Sequence, residues 1–213
     1  MFTGLIETTC ILKSAYAAAG GMCLSVDLGK LANETKIGDS IAINGVCLTV
    51  ASLQGSVAGF DVSGETLAKT TLGGLRAASP VNVELAMKAD GRFGGHIVQG
   101  HVDGVGVIKA IKRTGRFADM TFAVSRELLD QMVVKGAVAV DGISLTIADM
   151  SETGFSVAVI PKTLEKTTLG SAKISDRVNI EIDIIAKMVK KQLEKILPTG
   201  GNLTAERLKD LGF

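Results

Sequence analysis

Over most of the first 184 residues, apolar and polar positions alternate in short runs bounded by turn residues. VNVELAM at 81–87 alternates at every second position, the period of a strand with one buried face. SIAINGVCLTVASL at 40–53 holds two β-rich runs around Asn44-Gly45, a pair that favours a tight hairpin. SVAGFDV at 56–62 follows Gln54-Gly55. A second set repeats this plan: AVAVDGISLTIADM at 137–150 turning at Asp141-Gly142, then FSVAVI at 155–160 and VNIEIDI at 178–184. Short strands with turns roughly every ten residues predict an all-β antiparallel sandwich or barrel. The 25 glycines suit the tight corners of small barrels. Short helices are predicted at 65–69 and 163–166, with another around 126–132.

The two sets are copies. ETLAKTTLG at 65–73 and KTLEKTTLG at 162–170 lie 97 residues apart and match at seven of nine positions. The same shift pairs GVCLT at 45–49 with GISLT at 142–146, and NVELAMK at 82–88 with NIEIDII at 179–185. Such a period is too long for a solenoid and long enough for a unit with its own core. The chain therefore divides into units at 1–94 and 95–184, a helix at 185–197 and a tail at 198–213.

The helix is amphipathic. Ile185, Met188, Val189, Leu193 and Ile196 share one face, and Lys187, Lys190, Lys191, Glu194 and Lys195 the other, before Pro198 and Gly200-Gly201 end it. Its apolar stripe needs either its own domains or the matching helix of another subunit. NLTAERLKDLGF at 202–213 has the pattern of one more short helix without a legible role.

At 46% hydrophobic and 21% charged, the composition is that of a soluble globular protein. A net charge of +1 argues against a nucleic-acid partner. No apolar run is long enough to cross a bilayer, and the N-terminus lacks a signal-peptide pattern. Three cysteines, Cys10, Cys23 and Cys47, give an odd count without a CxxC pair, which suits the reducing cytoplasm.

Both histidines fall in GGHIVQGH at 94–101. Positions 96 and 101 face opposite sides of a strand and diverge on a helix, so no metal site is expected. His96 is expected to be a satisfied structural residue. His101, in GHVD, aligns with GLIE at 4–7 and marks the start of the second copy. Cys47 and its counterpart Ser144 are each followed two residues on by a threonine, Thr49 or Thr146, on the same strand face. Neither has an activating base visible in the sequence, so a serine-hydrolase triad is poorly supported. The copies also differ where Lys135 replaces Gly38, Asp141 replaces Asn44, Pro161 replaces Gly64, Ala158 replaces Asp61 and Asp183 replaces Ala86. A carboxylate at Asp183, in an otherwise apolar strand, needs partners or a role. Two pockets of one shape but different lining suit two copies of one ligand in different roles.

MFTGLIE, NGVCLTV, FDVSGETL, GGHIVQGHVD, VDGISLTI, IPKTLEKTTLG and VNIEID, in this order, resemble the alpha-chain family of riboflavin synthases over residues 1 to about 197. The resemblance implies two tandem six-stranded antiparallel Greek-key barrels and a C-terminal helix that joins homotrimers. It implies dismutation of two molecules of 6,7-dimethyl-8-ribityllumazine. A four-carbon unit passes between them, giving riboflavin and 5-amino-6-ribitylamino-uracil without metal, nucleotide or redox cofactor. The site would lie between the first barrel of one subunit and the second of its neighbour. Association with lumazine synthase is a further expectation.

Carried over by motif, the first barrel's ligand contacts are Gly4, Leu5 and Ile6, then Cys47, Leu48 and Thr49. Asp61, Val62, Ser63, Gly64, Glu65 and Thr66 complete them. Those of the second barrel are Gly100, His101 and Val102, then Lys135, then Ser144, Leu145 and Thr146. Ile160, Pro161, Lys162, Thr163, Leu164 and Glu165 follow. Ser144, Thr146, His101, Cys47 and Asp183 are the catalytic candidates, with Ser144 and His101 moving a proton or stabilising the adduct and Cys47 acting on the partner substrate. Ser63-Gly64 departs from the bulkier residues common in the family and leaves the shape of that loop open. The main rival is a non-catalytic lumazine- or flavin-binding chromophore protein, which would be expected to lose one half's motifs. A flavin reductase would need a nucleotide-binding βαβ unit that is missing here. A purely structural two-barrel protein leaves the paired motifs unexplained.

Overall fold

The computed structural model describes residues 1–196. Leu197 and the predicted tail at 198–213 lie outside the described residues, as do the side chains of Lys195 and Ile196.

The first repeat supplies β1 (Thr8–Ala18), β2 (Gly21–Asp27), β3 (Ser40–Ile43), β4 (Val46–Gln54), β5 (Val57–Ser63), α1 (Gly64–Lys69) and β6 (Pro80–Leu85). The second supplies β7 (Gly104–Thr114), β8 (Phe117–Ala123), α2 (Arg126–Leu129), β9 (Ala137–Val140), β10 (Ile143–Ser151), β11 (Gly154–Val159), α3 (Pro161–Lys166) and β12 (Arg177–Ile182). Helix α4 (Ile184–Ile196) follows. Each set of six strands closes into a barrel with one topology, β1-β2-β5-β4-β3-β6 in the first and its equivalent in the second. The duplication extends to irregularities: register shifts at Leu12/Ser14 and Val50/Ser52 recur at Ile108/Ala110 and Ile147/Asp149.

The two hairpins turn where the sequence predicts. Asn44 and Gly45 have φ of 45° and 75°, Asp141 and Gly142 of 46° and 79°, the left-handed pair that a two-residue hairpin requires. Inward-facing residues fill each barrel, with Leu24, Phe60 and Val83 in one and Met120, Phe122 and Ile180 in the other. Each such side chain contributes about 1.5–3 kcal/mol by leaving water.

Four readings need correction. Helix α2 stops at Leu129, because the amides of Gln131 and Met132 bond three residues back and close turns instead. The strand expected over 178–184 ends at Ile182, so Asp183 lies outside it. The polar positions of β6 and β12 do not face water: Asn82, Glu84, Asn179 and Glu181 are buried, the asparagines against the other barrel and the glutamates under the segments that lead into each repeat. Finally, residues 1–7 and 95–103 do not stay with the barrels they precede.

Candidate functional site

The barrels meet on a pseudo-two-fold axis. A Cβ on Gly45 would lie 2.5 Å from the Gly142 nitrogen, and one on Gly142 would lie 2.8 Å from the Gly45 nitrogen. Only glycine permits this contact between backbones. Flanking the axis, Asn82 Nδ2 donates to the Asp141 carbonyl at 3.0 Å and its Oδ1 accepts from the Thr168 amide at 2.9 Å. Asn179 mirrors it, with Nδ2 on the Asn44 carbonyl at 2.8 Å and Oδ1 on the Thr71 amide at 2.8 Å. Phe2 pairs with Val98 and packs with Ala42 and Ala139 in a small buried cluster.

The segment leading into each repeat crosses this axis. Gly4 carbonyl accepts from the Ser144 amide at 2.8 Å, and Gly100 carbonyl accepts from the Cys47 amide at 2.9 Å. Ile6 packs on the core of the second barrel and Val102 on that of the first. The grouping by sequence order is therefore corrected. Gly4, Leu5 and Ile6 sit with Ser144, Leu145 and Thr146, and Gly100, His101 and Val102 sit with Cys47, Leu48 and Thr49. Buried carboxylates clamp the crossings. Glu84 accepts from the Thr3 amide and hydroxyl, both at 2.7 Å, and from the Gly4 amide at 3.0 Å. Glu181 accepts from the amides of Gln99 at 2.7 Å and Gly100 at 2.9 Å. Burial outweighs these bonds and pushes both carboxyls above the usual range.

Two half-sites result. In the first, Cys47 is half-buried, Leu48 buried and Thr49 exposed, with exposed His101 on the crossing segment. Asp61 accepts from the Cys23 thiol at 3.2 Å, and Val62 points into the core. Ser63 caps α1, its hydroxyl accepting from the Thr66 amide at 3.1 Å. Glu65 pairs with Lys69 on the surface, and that ion pair holds its carboxyl below the usual range.

In the second half-site, Ser144 is half-buried and Thr146 exposed, with Leu5 exposed on the crossing segment. Pro161 opens α3, Lys162 pairs with Glu165, Leu164 packs inward, and Ile160 is exposed. Lys135 stands on the adjoining turn with φ of 68°.

Two catalytic candidates have other partners than the sequence suggested. The imidazole on Ser144 belongs to His96, with Nδ1 at 2.7 Å from Oγ, whereas His101 follows Gly100 to the Cys47 side. The signal available was GGH itself, since paired glycines beside a histidine allow a close backbone approach. Asp183 caps α4, accepting from the Ile185 amide at 2.9 Å. It also faces His96: burial lowers the proton affinity of that imidazole and the Asp183 charge partly restores it.

A family model described as the lumazine binding domain matches residues 3–86 and again 99–183. Riboflavin synthase of Actinobacillus pleuropneumoniae is 41% identical over 216 residues, covering 100% of both chains. That of Bacillus subtilis (strain 168) is 40% identical over 215 residues, again covering 100% of both. Among solved structures, LumP complexed with riboflavin superposes with a TM-score of 0.80 at 22% identity, covering 85% of this chain and 99% of that one. LumP complexed with 6,7-dimethyl-8-(1'-D-ribityl) lumazine gives 0.78 at 21% over the same shares, so both share the fold. Two lumazine-binding repeats and whole-length identity near 40% establish that this chain belongs to the riboflavin synthase family.

Proposed function

We propose that this chain is a riboflavin synthase, a transferase converting two molecules of 6,7-dimethyl-8-ribityllumazine into riboflavin and 5-amino-6-ribitylamino-uracil. The observation that carries the reading is the reciprocal crossing of Gly4 onto Ser144 and Gly100 onto Cys47. It builds two half-sites of one backbone geometry and different side chains. Two identical substrates, one giving and one receiving four carbons, call for that arrangement. Atoms balance between two lumazines and the two products, so no added oxidant or reductant enters. Holding the rings together supplies the high effective concentration from which much of the acceleration comes. Thr49, Thr146, Ser144 and Lys135 are the polar contacts, and backbone groups at the strand edges meet the pyrimidine ring.

The half-sites lie open on a single chain, where Leu5 and Ile160 are 51% and 54% exposed. On α4, Ile185, Met188 and Val189 are 55%, 60% and 54% exposed. A homotrimer would cover both, joining subunits through α4 and closing each site between the first barrel of one subunit and the second of the next. Its free thiols suit the cytoplasm, where association with lumazine synthase would pass the substrate directly.

The test is to mix purified protein with 6,7-dimethyl-8-ribityllumazine and follow absorbance and fluorescence. Two lumazines lost per riboflavin formed, without metal or nucleotide, is the expected result. Tight binding without turnover would make the protein a chromophore carrier instead.

A further inference from the structure

Five strands of the first barrel share one row of outward side chains. Tyr16 on β1 pairs with Cys23 on β2, and Cys23 with Asp61 on β5. Val50 pairs with Phe60, which sets Thr49 on β4 beside Asp61, and Thr49 pairs with Ser40 on β3. Opposed side chains in such a row stand close enough to interact. At its centre the half-buried Cys23 thiol lies 3.2 Å from Asp61 Oδ1. The second barrel builds the same row from Lys112, Asp119, Ala158, Thr146 and Ala137. There alanines flank the threonine, and the carboxylate stands one strand further away. Cys23 and Asp61 are thus replaced together, as a working pair would be.

We infer that Cys23 is a positioning residue of the first half-site, its thiol holding the Asp61 carboxylate so that the other oxygen is offered, beside Thr49, to the hydroxyls of the ligand's ribityl chain. This rests on the reading of that face as a lumazine site made above.

Chemistry fixes the direction of the bond. An ionised carboxylate only accepts, so the hydrogen between Cys23 and Asp61 is the thiol's. Cys23 and Tyr16 both hold their protons more tightly than usual, Cys23 first because of its bond to Asp61 and Tyr16 first because of its bond to Cys23. Cys23 therefore stays a thiol, and a donor, at neutral pH. It has one hydrogen to give, and a carboxylate has about four lone-pair sites, so most of the accepting capacity of Asp61 remains. A polyol chain presents hydroxyls that donate well to a charged acceptor. Asp61 is exposed, and an exposed side chain that a ligand must first order gives up rotamer freedom on binding. Tethering by the thiol removes part of that cost in advance. Ala158 offers the ligand no such acceptor in the second half-site.

The bond itself is tested without substrate, by alkylating the protein with iodoacetamide at pH 8 and following the Cys23 peptide by mass spectrometry, apart from those of Cys10 and Cys47. Asp61→Asn removes the negative charge that keeps the thiol protonated, so Cys23 is expected to react severalfold faster in that variant. Equal rates overturn the inference. Because no turnover is needed, this result is independent of whether the protein is a synthase. In the turnover assay Cys23→Ala is expected to raise KM for 6,7-dimethyl-8-ribityllumazine about 3- to 10-fold, with kcat within about 2-fold and an unchanged unfolding midpoint. Cys23→Ser keeps a donor and is expected to return KM to within about 2-fold of wild type. An Ala variant with the wild-type KM, or a Ser variant as weak as the Ala variant, refutes the positioning role.

Discussion

The two barrels agree where they hold each other and differ where they meet ligand. Gly45 and Gly142, Asn82 and Asn179, and Glu84 and Glu181 make the same contacts from opposite sides of the axis. Cys47 against Ser144, Gly38 against Lys135, and Gly64 against Pro161 differ, each on or beside a half-site. Duplication supplies a control inside one molecule, since each position shows what the same backbone does with another side chain. The glycine and asparagine contacts cannot drift in one copy alone, because each residue's partner lies in the other copy, while Glu84 and Glu181 hold the lead segments of their own repeats that cross the axis. Site residues face solvent on one side and are free of that constraint.

The largest effect is expected at the axis. In Gly45→Ala the new methyl would stand 2.5 Å from backbone of the other barrel, which cannot rotate aside. The barrels must separate, and the four bonds made by Asn82 and Asn179 across the axis go with them. A loss of about 5 kcal/mol in urea unfolding, or two transitions in place of one, is expected. Gly55→Ala is the matched control. Its φ of 60° is also left-handed, but nothing lies within 4 Å of the added methyl, so only about 1 kcal/mol of backbone strain follows. Equal losses in the two variants would show that strain and not the axial contact is at work.

Asp141 against Asn44 is a sharper comparison. Each side chain accepts from an amide of the neighbouring strand, Asn179 on β12 or Asn82 on β6, at 2.7 Å. Only Asp141 has a charge to bury, and burial, with a smaller push from Asp176, raises its carboxyl from 3.8 to about 7. The folded state thus binds this proton more tightly than the unfolded chain. Its stabilising contribution is present below about pH 4 and lost as pH rises to about 7. Asp141→Asn keeps the acceptor and removes the titration. The variant is expected to match wild type near pH 4 and to exceed it by about 2–4 kcal/mol at pH 8, measured by urea unfolding at both values. A constant difference across that range would mean that Asp141 is ionised in the fold at little cost.

How far the sequence carried follows from the same division. Strands, repeats and hairpins were legible, because alternation and Asn44-Gly45 or Asp141-Gly142 are local signals, whereas alternation left sandwich and barrel open and only the family resemblance implied closed barrels. Strands β1, β2, β7 and β8 had no bounded reading, since runs such as LKSAYAA alternate weakly and gain their register only from closure of the barrel. Asn82 and Glu84 read as a solvated face, because a two-residue period reports that the faces differ and not what covers the polar one. The crossing of Gly4 to Ser144 had no local signal at all: it depends on contacts 140 residues apart. The same lack hid the contact of His96 with Ser144, 48 residues away.

Lys135 carries the smallest expected effect and separates fold from function most directly. Its φ of 68° is the conformation that Gly38 adopts at 92° in the first barrel, and a side chain there costs about 1 kcal/mol. The lysine is exposed and makes no ion pair among the described residues, so nothing in this chain repays the strain. A residue that the fold disfavours, placed beside Ser144 and Thr146, is consistent with selection for a ligand. Lys135→Gly copies the first barrel's solution. It is expected to gain about 1 kcal/mol in thermal unfolding while losing affinity for lumazine in fluorescence titration. A variant that is more stable and binds equally well would reduce the difference between the copies at this turn to drift. A variant that is less stable would show that the ammonium group has a structural role in this turn.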